Sequence, residues 1–233
     1  MKKITLILIP IIIIASILGF LLTKNKKTVN NPIKTIQSSK QIELTDNEKP
    51  YVSLIPRSDG HELKFKVTDI PSKFTSADYE LIYTAEDEGL EIEKGVSGTV
   101  DLNQENIERD LLLGTSSCTN GCKYKYDEGI TGGVLTLTLT TDNKEYFTYE
   151  TPFVIKTSAE INKEKSLKLN QENFEIEATV TSKNDFFIAI KNIKDFYSVF
   201  SNGNGVGKIT SIEPNTVTKE NLNSLVGDYL IQP

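Results

Sequence analysis

The two cysteines are the residues whose type and spacing point most directly to chemistry. Cys118 and Cys122 flank Thr119-Asn120-Gly121, which suits a three-residue hairpin loop with glycine in the left-handed conformation. Such a loop places its flanking residues opposite each other, where two sulfur atoms come within bonding reach. We therefore expect a structural disulfide, worth about 2 kcal/mol, that needs an oxidising compartment. Reduced thiols are the main alternative.

The remaining residues lack the ligands of a metal site and the spacing of a redox pair. A zinc site built on the cysteines needs two more ligands, but the chain has one histidine, His61, and no third cysteine. A redox pair normally has two residues between its sulfur atoms and lies at a helix N-terminus. His61 follows an Asp-Gly turn and reads as a surface residue, because no serine or cysteine signature accompanies it. We predict no metal, no cofactor and no catalytic residue.

Two further motifs invite a binding interpretation. Gly203-Asn-Gly205-Val-Gly207 resembles a dinucleotide-binding loop, but its spacing differs. Lys208–Ile212 after it is predicted as a strand, so no helix N-terminus is available for a phosphate group. The acidic runs Glu86-Asp87-Glu88 and Asp127-Glu128 lack the spaced ligands of a calcium loop. We interpret the first as a hairpin loop and the two acidic runs as a solvated face.

Aromatic residues gather in two nearby stretches of the chain. A binding face is one interpretation, but in alternating strands half of such side chains belong to the core by default, and core is the prediction. The residues are Tyr124, Tyr126, Tyr146, Phe147 and Tyr149.

The charge balance excludes one class of partner. Of 26 basic and 32 acidic residues, eight and three lie in residues 1–49, which leaves 18 basic and 29 acidic residues beyond. This acidity is the opposite of the basic footprint that phosphate backbones select, so nucleic acid is not expected as a partner. Tryptophan is absent and histidine occurs once, which removes common catalytic and sugar-stacking groups and argues against an enzyme.

Two segments precede residue 50, and the first of them is an N-terminal apolar run. Ile4 to Leu22 is nineteen residues without a charge, long enough as a helix to span about 28 Å of bilayer. We predict a single-pass signal-anchor over residues 1–23, with the bulk of the chain extracytoplasmic at the cell membrane. A cleaved secretory signal is the alternative, because Lys2 and Lys3 precede the run. Residues 24–49, rich in Lys, Asn, Thr and Ser, predict a flexible linker, with a short strand at Gln41–Leu44 as the competing interpretation.

From Pro50 the pattern becomes one of short strands separated by turns. Leu63, Phe65 and Val67 alternate with polar residues, and Leu135, Leu137 and Leu139 alternate with threonines before an Asp142-Asn143 turn. Residues 50–156 resemble, in layout and strand count, an immunoglobulin-like or fibronectin type III-like β-sandwich of membrane-anchored bacterial surface proteins. The resemblance implies a fold and no ligand, since the Cys and Trp hallmark of antibody domains is missing.

Residues 157–233 predict a second, smaller β domain. Its strands are expected where Phe174 to Val180 and Phe186, Ile188 and Ile190 alternate, and in later short apolar runs. One short helix is predicted after an N-cap at Thr218, with Leu222 and Leu225 in its apolar stripe and Gly227 at its end.

These observations predict an all-β protein with one or two immunoglobulin-like β-sandwich domains behind an N-terminal transmembrane helix. The bilayer is its partner through Ile4–Leu22, and a protein or glycan at the cell surface is the expected second partner. We expect a binding or structural module at the cell envelope. The alternatives are a hydrolase of the cell envelope that uses two carboxylates 5 to 10 Å apart, and a subunit of an envelope assembly.

Overall fold

A computed structural model describes residues 39–103 and 106–232. This part of the chain is built almost entirely of antiparallel strands, so the all-β class is confirmed. Among the described residues, no helix is long and apolar enough to cross a bilayer. The span predicted at Ile4–Leu22 lies outside the described residues.

Ten strands occupy the first part of the described chain. They are β1 (Lys40–Gln41), β2 (Tyr51–Pro56), β3 (Glu62–Thr68), β4 (Phe74–Asp87), β5 (Leu90–Asp101), β6 (Ile107–Leu112), β7 (Gly114–Cys118), β8 (Cys122–Tyr126), β9 (Gly132–Thr141) and β10 (Glu145–Thr157). A 3₁₀ turn at Asp46–Glu48 precedes β2.

A short helix and seven strands follow. They are α1 (Ser158–Glu164), β11 (Ser166–Leu169), β12 (Phe174–Val180), β13 (Phe186–Lys191), β14 (Phe196–Ser201), β15 (Gly207–Glu213), β16 (Val217–Thr218) and β17 (Gly227–Ile231). A second 3₁₀ turn lies at Asn170–Glu172.

One nine-stranded sheet runs through both halves of the chain. Its order is β16-β17-β14-β13-β10-β9-β4-β5, and β1 pairs in parallel with the start of β10. β10 joins the halves, because its Tyr146–Val154 stretch pairs with β9 and its Phe153–Thr157 stretch pairs with β13. The division into domains over 50–156 and 157–233 stays a prediction; strands from both sides of it share this sheet.

The front face of this sheet is covered by a three-stranded sheet of order β2-β3-β6, which we call the front sheet. Alternation explains the packing: Leu135, Leu137 and Leu139 on β9 are fully buried against the small sheet, while the threonines between them lie on the back face. β13 adds Ile188 and Ile190 to the same core.

In residues 39–103 and 106–232, the back face is covered only toward β13. There a second three-stranded sheet of order β11-β12-β15, which we call the back sheet, packs on the opposite side of β13 and β14. Phe187, Ala189 and Val199 are fully buried between the two sheets. We call β13, β14, β17 and the end of β10 the covered end, and β5, β4, β9 and the start of β10 the open end.

A buried polar network ties the covered end to the front sheet. The Asn192 amide donates to the Val52 carbonyl at 2.9 Å and accepts from the Val52 N–H at 3.3 Å. It also donates to Ser198 Oγ, which in turn donates to Asp228 at 2.7 Å. Every buried polar side chain among the described residues has a hydrogen-bond partner.

The residues just before Pro50 belong to the fold. Lys40–Gln41 form β1, and Leu44 is 8 % exposed within the core of the front sheet. The part of the predicted linker that begins at Lys40 therefore packs on the sheet. The competing interpretation placed a strand at Gln41–Leu44, and the observed strand is shorter and lies at Lys40–Gln41. Residues 24–38 lie outside the described part of the chain.

The prediction of a helix between Thr218 and Gly227 is wrong. Thr218 ends β16 and Gly227 begins β17, and the residues between form turns. Asn221 accepts from the Asn223 N–H at 2.9 Å and Ser224 from the Val226 N–H at 3.2 Å. These local side-chain bonds compete with a helical backbone, while Leu225 is still buried.

The helix of the second half lies instead at Ser158–Glu164. Thr157 and Glu160 form a capping box: Glu160 accepts from the Thr157 N–H at 2.7 Å, and Thr157 Oγ1 accepts from the Glu160 N–H at 3.3 Å. Ile161 is fully buried and Lys165 ends the helix in the left-handed conformation. The capping-box pattern Thr-x-x-Glu was the signal available in the sequence.

Candidate binding surfaces at the open end

The strands β7 and β8 form a separate two-stranded arm that projects beside the open end. Their register places Cys118 opposite Cys122, with Cα atoms 4.1 Å apart, and the two residues are joined by a disulfide. Gly121 in the connecting loop has φ +93°, which supplies the left-handed position that the loop needs. Almost all side chains of the arm are exposed, so the disulfide links the strands where little packing does.

A buried ion pair braces the root of the arm. The carboxylate of Asp127, directly after β8, is 2 % exposed and contacts the ammonium of Lys94 on β5. Tyr83 Oη on β4 donates to the second carboxylate oxygen at 2.8 Å. Burial raises the pKa of Tyr83 far above its usual range, so the phenol stays protonated and remains the donor. Three strands are thereby fixed to one point.

Three flat rings stack along one face of the arm. Tyr126 lies parallel to His61 with ring centroids 3.8 Å apart and 8° between the planes. Tyr124, two residues before it on the same face, is parallel to Tyr126 at 6.0 Å and 5°. Tyr124 is 51 % exposed, and parallel aromatic contacts of this kind stabilise by about 0.5–1.5 kcal/mol beyond burial. We call His61, Tyr126 and Tyr124 the ring stack.

The turn between β2 and β3 holds the first ring of the stack. Arg57 donates to both carboxylate oxygens of Asp59, at 2.8 and 2.7 Å, and Asp59 also accepts from the His61 N–H at 3.1 Å. The Arg57 guanidinium lowers the pKa of Asp59 to about 2. Asp59 therefore stays ionised near neutral pH and keeps the turn that positions His61.

The back face of the open end carries one sign of charge. Threonine and serine side chains fill most of the remaining positions, among them Thr136, Thr138 and Thr148. Strand register places seven carboxylates on this face and no lysine or arginine. They are Asp78, Glu80, Glu86, Glu91, Glu93, Asp101 and Glu150. Within the described residues none of the seven forms an ion pair.

The two acidic runs meet in space, which no local pattern of the chain predicts. The Glu86 N–H donates to the Glu128 carbonyl at 2.8 Å. Asp87 lies 3.6 Å from Lys125, and Asp127 is paired with Lys94. Two of the carboxylates thus have lysine partners, and no group of three metal-ligating side chains occurs in the described chain.

The glycine-rich loop 203–207 is held by its neighbour rather than open to a ligand. The Leu225 N–H donates to the Gly205 carbonyl at 2.9 Å, and Ser224 Oγ donates to the Asn204 carbonyl at 3.0 Å. The residues that follow form strand β15, as the sequence predicted, so no helix N-terminus is available.

Of the aromatic residues singled out in the sequence, only two reach the arm. Phe147 and Tyr149 pack against the core of the front sheet, as predicted, whereas the core prediction is wrong for Tyr124, which is 51 % exposed on the arm. Tyr149 also donates its hydroxyl to the Lys191 carbonyl. Tyr124 and Tyr126 follow Cys122 at alternate positions, so hairpin register predicts their shared face. The arrival of His61 from the β2–β3 turn has no signal in the sequence.

A cleft with a volume of about 480 Å³ lies between β10, α1 and β11. Its acids are Glu160, which accepts the capping bonds of α1, and Glu164, which contacts Lys156. Both carboxylates come from one helix and both already have partners. The cleft therefore gives no support to the alternative of a carboxylate-based hydrolase.

Comparison of the chain with protein family models, with curated proteins and with solved structures gave no match in any of the three.

Proposed function

We propose that this chain is a membrane-anchored, extracytoplasmic binding module of the cell envelope. Ile4–Leu22 supplies the anchor in the lipid bilayer, as a nineteen-residue apolar run of bilayer-spanning length. The disulfide between Cys118 and Cys122 supports an oxidising compartment and hence an exported position. The acidity of the chain after residue 49 fits a protein or glycan partner better than nucleic acid.

The strand order of residues 50–157 supports an immunoglobulin-like or fibronectin type III-like sandwich. If its seven strands are lettered A, B, C, C′, E, F and G, then A, B and E form β2-β3-β6, and C′, C, F and G form β5-β4-β9-β10. Immunoglobulin-like folds divide their strands between two sheets in the same way, with A, B and E opposite C, F and G. In this scheme the arm is an insertion between strands E and F.

The observation that carries the proposal is the ring stack on a braced, exposed arm. A hairpin with so few buried side chains contributes little to the core, yet it is joined by a disulfide at its tip and fixed by Asp127 at its root. Bracing of this kind limits the conformational entropy that a contact surface loses on binding. Tyrosine rings presented on rigid hairpins are frequent contact residues for proteins and glycans.

Site-specific photocrosslinking in membranes tests this proposal. A photoreactive amino acid replaces Tyr124 in the full chain, in cells that produce it, and crosslinked species are separated from the membrane fraction. Leu222, which is 47 % exposed and lies in the loop before β17, is the matched control position. We expect a discrete crosslinked partner from position 124 and none from position 222.

Three results contradict the proposal. The first is that position 124 gives no adduct beyond those of position 222, and the second is that both positions give the same adducts. The third is that the chain partitions into the cytosolic fraction. A partner that co-purifies with the chain at fixed stoichiometry without irradiation identifies a permanent assembly subunit rather than a transient binder.

A further inference from the structure

The nine-stranded sheet ends at β5, and this edge has no partner strand among the described residues. All twelve residues of β5 pair with β4 on one side, in a register without a bulge. In an antiparallel pair the amide and carbonyl groups of every second residue point away from the partner strand. The outer side of β5 therefore presents a row of backbone donors and acceptors.

Of the features that usually block a sheet edge, β5 has charged side chains but is neither short nor interrupted by a bulge. The strand is long, and it contains no proline. Its one lysine, Lys94, is on the front face and is paired with Asp127. The side chains on the front side that flank the edge, Ile92, Val96 and Val100, are only partly buried.

What remains at the edge is negative charge on the back side. Glu91, Glu93 and Asp101 of β5 belong to the seven back-face carboxylates, and Glu91 lies directly opposite Glu86 of β4. Like charges in direct cross-strand pairs are destabilising. A cation supplied from outside the described chain would relieve this repulsion.

We propose that the β5 edge takes up an extended segment of a partner protein as an additional strand. That segment presents basic side chains to the back face and apolar side chains to the front, where it extends the cover over Ile92, Val96 and Val100. Main-chain hydrogen bonds supply the affinity, and alternating side chains supply the specificity.

A second copy of this chain fits the edge poorly. In antiparallel self-pairing, facing residues share one face of the sheet, so the back-face residues of one β5 meet those of the other. These positions hold Glu91, Glu93 and Asp101 and no cation. Self-pairing would double the negative charge, whereas a basic segment neutralises it.

A peptide pair tests strand addition on the unaltered full chain in detergent. The probe is a twelve-residue peptide of alternating lysine and valine, and its twin has the same sequence with every backbone amide methylated. We expect the first peptide to bind and to slow hydrogen exchange of β5 amides. We expect the methylated twin to bind at least tenfold more weakly, because it cannot donate main-chain hydrogen bonds.

Charge variants test the same edge through side chains. Glu91→Lys with Glu93→Lys is expected to weaken binding of the unmethylated peptide at least tenfold at low salt. Glu213→Lys with Glu220→Lys changes the net charge equally at two exposed residues outside β5 and the arm, and is expected to change binding less than threefold. Thermal unfolding of each variant shows whether it folds. If a variant does not fold, the peptide pair on the unaltered chain tests strand addition by itself.

Equal binding of both peptides means electrostatic adsorption without strand addition and overturns the proposal. So does an unmethylated peptide that fails to bind, or one whose affinity is unaltered by Glu91→Lys with Glu93→Lys. These results do not depend on the crosslinking at Tyr124, because Tyr124 lies on β8 and not on β5.

Discussion

The two ends of the central sheet differ in how many of their faces are covered. At the covered end β13 is buried on both sides, with Ile188 and Ile190 toward the front sheet and Phe187 and Ala189 toward the back sheet. At the open end the described chain covers only the front face, and the back face is polar and acidic. Within the described residues, the same sheet is thus packed on both faces at one end and has an exposed face and an unpaired edge at the other.

This difference is written in the sequence as a difference in periodicity. β9 reads Leu-Thr-Leu-Thr-Leu-Thr, the alternation of a strand with one buried face. β13 reads Phe-Phe-Ile-Ala-Ile, a continuous apolar run typical of strands buried on both faces. The alternation of Phe186, Ile188 and Ile190 alone predicts one buried face, and it does not predict the sheet that packs against Phe187 and Ala189.

Truncation at the covered end has the largest expected effect. Phe187→Ala removes a fully buried ring between two sheets and should lower the free energy of unfolding by about 3–5 kcal/mol. Thr136→Ala, on the back face of the open end, should change it by less than about 0.5 kcal/mol. Denaturant unfolding of the full chain measures both. Equal effects would mean that the two ends are covered alike.

Loss of the root contact should loosen the arm more than the sheet. Asp127→Asn removes the counter-ion of Lys94 and is expected to cost about 1–3 kcal/mol and to speed proteolysis within residues 114–126. Asp110→Asn, whose carboxylate is 61 % exposed and 3.6 Å from Lys64, is the matched control and should leave both unchanged. Unchanged proteolysis of the first variant would show that the arm is held by other contacts.

The disulfide should contribute less to the whole fold. Cys118→Ser with Cys122→Ser removes a very small covalent ring, so the expected loss is at most about 2 kcal/mol. Hydrogen exchange should rise within β7 and β8 and stay constant in β13, because the two regions share no packing contacts. A uniform rise across the sheet would contradict the separation of the arm from the core.

Acid should act through two exposed carboxylates at the edges of the front sheet. Hydrogen bonds from Lys73 and Thr45 lower the pKa of Glu48 to about 2, and Arg57 lowers that of Asp59 to about 2. Because both pKa values are below the ordinary 4.5 and 3.8, their stabilisation is complete above those values and is lost as the pH falls toward 2.

The thermal midpoint should therefore decline from about pH 4.5 to about pH 2, and Glu48→Gln with Asp59→Asn should make that decline shallower. The difference should shrink in high salt, since both groups are exposed. A decline that is identical in the variant would show that other carboxylates govern the acid response.

The sequence predicts individual strands well and their assembly poorly. Alternation around Leu135–Leu139 and the Asp142-Asn143 turn place β9 and β10, and the Cys118–Cys122 spacing places the tip of the arm. The pairing of β10 with β13 depends on contacts between residues far apart in the chain, which no local pattern specifies.

The helix prediction fails because side-chain bonds of Asn221 and Ser224 outweigh a weak apolar stripe. The binding surfaces show the same limit. Tyr124 and Tyr126 share a face by hairpin register alone, whereas His61 and Asp127 reach the arm only through the tertiary fold. The acidity of the back face follows from the sequence once strand register is known, because register decides which carboxylates share a side.

Hydrogen exchange of the full chain, compared between membranes of the producing cells and the protein purified in detergent, tests most directly whether the open end meets a partner. Amides of β5 and of the arm should exchange more slowly in the membranes, while those of β13 should exchange at the same rate in both samples. Equal exchange of β5 and the arm in the two samples would contradict a partner at the open end.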